Sequence, residues 1–269
     1  MTYKHAAALS LVINIIIVLL AGCGSPSNNN MPDGPSTLPP SPTPYQSIVN
    51  RVLTLIHKYS VPNHLMQLDA VKTPDDFDVN EYFSVFEHVS MKPGYVLDYV
   101  YHYTGMGGEP VLYVKKADQP PYRNYSEYWA AGNNGDDEEQ RYGFVNGVLV
   151  DDTEIGFFEL IVLRTMASQF YQYWHAGYND ARIICDQTGL EALRPLGGEL
   201  PPDIQKKARD LDFSPVIDIS ESIVTVKVVI FTNWGGFIQE TYVISRSFPH
   251  TILKCEKKVL IPYYSGFRF

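Results

Sequence analysis

Glu159 is the carboxylate in this sequence best placed to do chemistry. On a helical wheel its side carries Ile155, Leu163, Met166 and Phe170, all apolar. At about 100° per residue, Arg164, Thr165, Ser168, Gln172 and His175 form a polar stripe, and Glu159 falls opposite it. A carboxylate in apolar surroundings has a raised pKa or a cationic partner. It can then work as a general acid or base in a cleft. It can also form a buried ion pair, with Arg182 as the candidate cation, or reach solvent from the helix start.

Two aromatic patches could stack on sugar rings. One is Tyr122, Arg123, Tyr125, Tyr128 and Trp129, beside Pro120-Pro121. The other is Phe170, Tyr171, Tyr173 and Trp174, where helical spacing makes core packing the default. The loop patch is therefore the better binding candidate. The acidic run Gly135 to Glu139 could hold a hard cation, but it lacks alternating ligand spacing and reads as a solvated loop. Among the histidines, His57 and His64 are separated by the helix breaker Pro62, and Glu87 and His88 point different ways. His102, set among Tyr99, Tyr101 and Tyr103, reads as a packing residue rather than a base. Cys185 and Cys255 lie in apparent strands of the same half. They are either bridged, at a gain of about 4 kcal/mol from loop closure, or two buried thiols.

No Gly-x-Ser-x-Gly elbow, His-Glu-x-x-His pair, P-loop, dinucleotide fingerprint or Cys-x-x-Cys is present. No cofactor and no metal site are expected. With 21 Lys and Arg against 30 Asp and Glu, the net charge is -9, which argues against nucleic acid as a partner. Hydrophobic residues make up 45% of the 269, enough for a packed core.

The elements that must position these residues can be read from periodicity. Residues 47–59 carry apolar residues at helical spacing, and 76–89 are a weaker helix candidate. Strands are expected at 95–103 and 110–115 around a glycine-rich turn, with a loop-rich stretch over 117–150. The main helix is expected from Asp152 to about Trp174, followed by a short strand at 182–185 and a surface helix at 202–211. Strands 224–230, 237–245 and 253–261 then close the chain, the first two joined at Asn233-Trp234-Gly235-Gly236. Helices first and strands last predict an α+β fold: helices packed on a mainly antiparallel sheet, with a strand-rich C-terminal third. One domain is expected over 46–269.

The N-terminus points to a location. Lys4 and His5 precede a mostly apolar run, Ala6 to Leu20, which spans about 22 Å as a helix and falls short of the ~30 Å hydrocarbon core. The run ends in Leu20-Ala21-Gly22-Cys23, which resembles the lipobox of bacterial lipoproteins. That resemblance implies a signal peptide over 1–22, cut before a diacylglyceryl-modified Cys23, and anchorage in the cell envelope outside the cytoplasm. Residues 23–45 are rich in Pro, Ser and Asn and read as a tether. The sequence thus favours a lipid-anchored, non-enzymatic domain whose partners are the membrane and an envelope protein or polysaccharide. The alternative is a hydrolase acting on an envelope polymer through Glu159. Because lipidation and this cleavage both need the cysteine sulfur, Cys23→Ser should abolish metabolic palmitate labelling. Labelling that persists would sink the lipoprotein resemblance.

Overall fold

The computed structural model describes residues 40–133 and 141–267. Residues 1–22, read from the sequence as a signal peptide, Cys23, most of the stretch read as a tether and the acidic run 135–139 lie outside the described residues. The contacts of the chain divide at Pro39 and Pro40, and everything below concerns the unit from Pro40 onward. Among the described residues no helix is long and apolar enough to cross a membrane.

Helix α1 (Pro44–His57) starts earlier than its apolar spacing suggests, because Thr43 caps it. The Thr43 side chain accepts from the Gln46 amide, and Pro44 needs no amide partner in the first turn. Ile48, Val49, Val52, Leu55 and Ile56 turn into the core. The helix expected over 76–89 is largely absent. It is reduced to a 3-10 turn (Val79–Glu81) and a single turn, α2 (Tyr82–Val85), before strand β1 (Val89–Met91). The reason is competition for backbone donors. The amides of Glu87 and His88 donate to the Glu159 carboxylate instead of to carbonyls one turn back.

Strands β2 (Tyr95–Tyr103) and β3 (Gly107–Lys116) form a hairpin, with β3 beginning three residues before its expected start. The stretch expected to be loop-rich holds α3 (Tyr125–Ala130), capped by Asn124, and β4 (Val148–Val150), which pairs with β1. The main helix, α4 (Glu154–Met166), is capped by Thr153 and ends well short of Trp174. Hydrogen bonds from elsewhere seize the chain beyond it. Tyr82 donates to the Ala167 carbonyl, Tyr101 donates to the Tyr171 carbonyl, and the Tyr171 hydroxyl accepts from the Phe77 amide. The polar stripe is therefore broken: Arg164 and Thr165 stay on the helix, while Ser168, Gln172 and His175 leave it.

Past the helix, β5 (Tyr173–Trp174) joins β3, and β6 (Arg182–Ile184) pairs with the later strand β8 (Ile223–Thr232). Helices α5 (Gln187–Glu191) and α6 (Pro202–Arg209) precede β7 (Val216–Ile219), β8 (Ile223–Thr232), β9 (Gly236–Ser245) and β10 (Ile252–Ile261). Among the described residues all strand pairs are antiparallel, in sheets ordered β1-β4, β2-β3-β5 and β10-β9-β8-β6, with β7 also on β8. The α+β architecture and strand-rich C-terminal third are as the sequence predicts. Helix α4 lies at the centre of the largest core cluster, with Phe157, Phe158 and Leu160 to Leu163 fully buried.

Of the two readings of Cys185 and Cys255, the structure has free thiols and not the bridge. Cys185 follows β6 and Cys255 sits on β10, at opposite sides of the sheet. Three strand spacings separate them, about 14 Å, roughly twice what a disulfide spans. Burial also pushes the Cys185 thiol pKa up, so it behaves as a small apolar residue. In the Cys23→Ser variant, reductant should leave the melting temperature unchanged, and both thiols should titrate after denaturation. A reductant-dependent melting temperature would contradict this strand order.

Candidate functional site

Alternation along the hairpin sends its side chains two ways. Leu97, Tyr99 and Tyr101 face the main core, while Val100 and His102 face outward. In the register, Val100 lies opposite Val111 and His102 opposite Glu109. Helix α3 covers part of this outer face, and Val100, Tyr113 and Tyr128 form a buried satellite cluster beneath it. The sequence's aromatic patch is thereby split. Tyr128 is core, Tyr122 packs edge-on to Tyr113, and Arg123 is exposed to one side, with its backbone amide donating to Glu127. Tyr125 and Trp129 remain at the border, with Trp129 40% exposed.

Where the α3 cover stops, a groove opens. The His102 ring lies flat on the Tyr125 ring, 3.8 Å between centroids and 14° between planes. Three cavities share His102. One of about 250 Å³ is lined by Glu109, Tyr125, Trp129, Asn133, Arg141 and Ser168. A shallower one of about 500 Å³ lies over Tyr125, Ser126 and Trp129. The third, about 290 Å³, runs past Glu109 and Arg141 to Gly107, His175, Tyr178 and Asn179. Glu109 accepts a hydrogen bond from Asn179 and is paired with Arg141 at 3.5 Å. Burial lowers the His102 pKa, with Glu109 pulling it back up, so the ring favours its neutral form. Flat ring faces flanking a small set of fixed polar groups suit a ligand with apolar faces and many hydroxyls.

Two glycines set the far end. The β5 strand pairs with β3 at Gly107 and Gly108. A Cβ on Gly108 would collide with the Tyr101 ring, and one on Gly107 would meet His175 Cβ at 3.0 Å. Glycine at 107 thus eases the close approach of the His175 segment, and glycine at 108 makes room for the Tyr101 ring of β2.

Glu159 is buried with its pKa raised, as its apolar helix face implies, but it sits neither in a cleft nor at solvent. It is fully buried, and its two oxygens accept from the Glu87 amide (3.0 Å) and the His88 amide (2.8 Å). It lines none of the cavities described, and the carboxylate whose charge acts on Arg182 is that of Asp180. Its role is to join α4 to the segment entering β1. His88 Nδ1 is 2.6 Å from Asp151 Oδ2, and Thr153 Oγ1 is 3.4 Å from the same nitrogen. Both partners therefore sit on one side of the imidazole, which is not the relay a hydroxyl nucleophile needs. His57 closes α1, and His64 pairs with Asp76 at 2.9 Å. Among the described residues, no group of three or more His, Cys, Asp and Glu is placed to hold a metal ion.

Sequence reasoning found Tyr125 and Trp129 but missed Glu109, Arg141 and Asn179, and it read His102 only as packing. The usable signal was hairpin length. A tight turn centred on Gly105 puts Glu109 in a strand opposite His102, whereas the longer turn assumed from the glycines puts it in a loop. Comparison of the chain with models of known protein families, with curated proteins and with solved structures gives no match.

Burial raises the Glu159 pKa, and the two amides partly offset the rise. A carboxyl whose pKa is raised on folding takes up protons in the window just above its unfolded value. Stability therefore falls as pH rises through that window. Glu159→Gln cannot ionise and offers one acceptor oxygen to two amides. It should flatten this slope while costing about 1–3 kcal/mol for the unpaired donor. Denaturant unfolding across mildly acid pH checks both effects, and an unchanged slope would mean that Glu159 does not titrate there.

Proposed function

We propose that this chain is an exported, lipid-anchored protein whose α+β domain binds a polysaccharide of the cell envelope in the groove around His102. The observation that carries the binding reading is the His102–Tyr125 stack with Trp129 beside it, adjoining the Glu109, Arg141 and Asn179 cluster. Sugar rings present apolar faces to aromatic rings and hydroxyls to a carboxylate, a guanidinium and an amide, so both halves of the groove have a use. The lipobox resemblance and the proline-rich tether support an anchored, extracytoplasmic setting for such a domain.

Binding is favoured over hydrolysis for a chemical reason. Cleavage of a glycosidic bond ordinarily takes two carboxyl groups facing each other across the bond. Among the described residues lining the three cavities, Glu109 is the sole carboxylate, and Arg141 and Asn179 already engage it. The groove is built to hold a ligand still.

Trp129→Ala removes a half-exposed ring that no core cluster depends on. It should leave the melting temperature nearly unchanged and weaken co-sedimentation with purified envelope polysaccharide by about tenfold. Equal retention of both proteins on the polysaccharide would refute the groove as the binding site.

A further inference from the structure

Trp174 has a backbone that a tryptophan adopts only under constraint: φ is 46° and ψ is -113°. Such strain persists where the surroundings hold it, and it concentrates at ligand sites. The surroundings here are the β5–β3 pairing at Gly107 and Gly108, where a Cβ on Gly107 would already meet His175 Cβ at 3.0 Å. What this arrangement yields is an indole that is half exposed, where burial would have been the default for so large an apolar ring. The Trp174 ring lies 5.2 Å from the ring of His175, which lines the groove.

Register gives the reach. His102 is one strand from Glu109, and Trp174 is one strand further on, opposite Gly107, two residues along β3. From strand and residue spacings, His102 and Trp174 are about 12 Å apart along the backbone layer, and Trp129 lines two of the cavities that His102 shares. A single sugar ring cannot touch both ends. The formal charges lining the three cavities, among the described residues and with histidine neutral, are Glu109 and Arg141, and they are paired with each other. Among the described residues, a charged ligand would have to compete with this pair for its counter-charge.

Resting on the polysaccharide-binding reading, we propose that the groove takes an uncharged, unbranched oligosaccharide long enough to run from Trp129 to Trp174, with Trp174 as the far stacking platform. Affinity should rise with chain length until both rings are engaged and then level off.

The test uses the full chain in detergent. The probes are linear oligomers of glucose, mannose and N-acetylglucosamine, from monomer to octamer, with uronic-acid oligomers of equal length beside them. Neutral oligomers should bind with length-dependent affinity. Trp174→Ala should lower the affinity of long oligomers up to about tenfold and leave short ones unchanged, and Trp174→Tyr should restore most of the loss. Preference for uronic-acid oligomers would overturn the uncharged class. Length-independent binding, or equal loss for short and long oligomers in Trp174→Ala, would overturn the far platform. If no oligomer of either kind binds and Trp129→Ala changes nothing, the polysaccharide reading itself falls.

Discussion

The Glu159 carboxylate, clamped between the amides of Glu87 and His88, is the constraint around which the first half of this fold is arranged. Taking a charge out of water is costly unless every lone pair facing the interior finds a donor. Here two consecutive backbone amides supply them. Those amides are consequently lost to helix formation, so the 79–85 turns stop and the chain extends into β1. Strand β1 then pairs with β4, which leads into the Thr153 cap of α4, the helix that carries Glu159. The loop of dependence is closed, and the buried charge joins its members.

At the other end of α4 the same economy of backbone donors and acceptors operates with neutral groups. Tyr82 and Tyr101 bury their rings completely or nearly so and spend their hydroxyls on the carbonyls of Ala167 and Tyr171. A buried phenol needs a partner, and a chain leaving a helix has carbonyls to offer. Meeting both needs turns the chain away from the helix axis and toward β3. The groove follows from that turn, because the segment it redirects brings His175 and Asn179 up to Glu109.

The five-stranded sheet does a different job. Strand β8 is long enough for β7 to pair with its first half and β6 with its second, along one edge. Its inward residues Val224, Val226, Val228 and Ile230 meet the core, and β9 shields its other edge. At the outside, β10 carries Lys254, Glu256, Lys257 and Lys258. Charges of this density on an edge strand discourage pairing with a second chain. The charged strand β10 thus closes one edge of this sheet, while the hairpin sheet carries the groove.

Local signals in the sequence settled much of the architecture. Alternation over Val224 to Ile230, the Asn233 to Gly236 turn, the helical spacing of Ile48 to Ile56 and the Pro202 helix start all act within a few residues, and each produced the element it promised. What tertiary structure decided lies where a distant group competed with local preference. Helix 76–89 failed because Glu159, over seventy residues away, took its amides. The main helix ended early because hydroxyls from Tyr82 and Tyr101 took the carbonyls beyond it. Strand order, invisible to periodicity, put Cys185 and Cys255 on opposite sides of one sheet. The groove was half legible: Tyr125 and Trp129 announce themselves by type. Glu109, Arg141 and Asn179 are ordinary residues that acquire a role only when the register of β2 and β3 and the approach of the 175–179 turn set them beside His102. Residue type is a local property, but the neighbours that give a polar side chain its chemistry are set by the path of the whole chain.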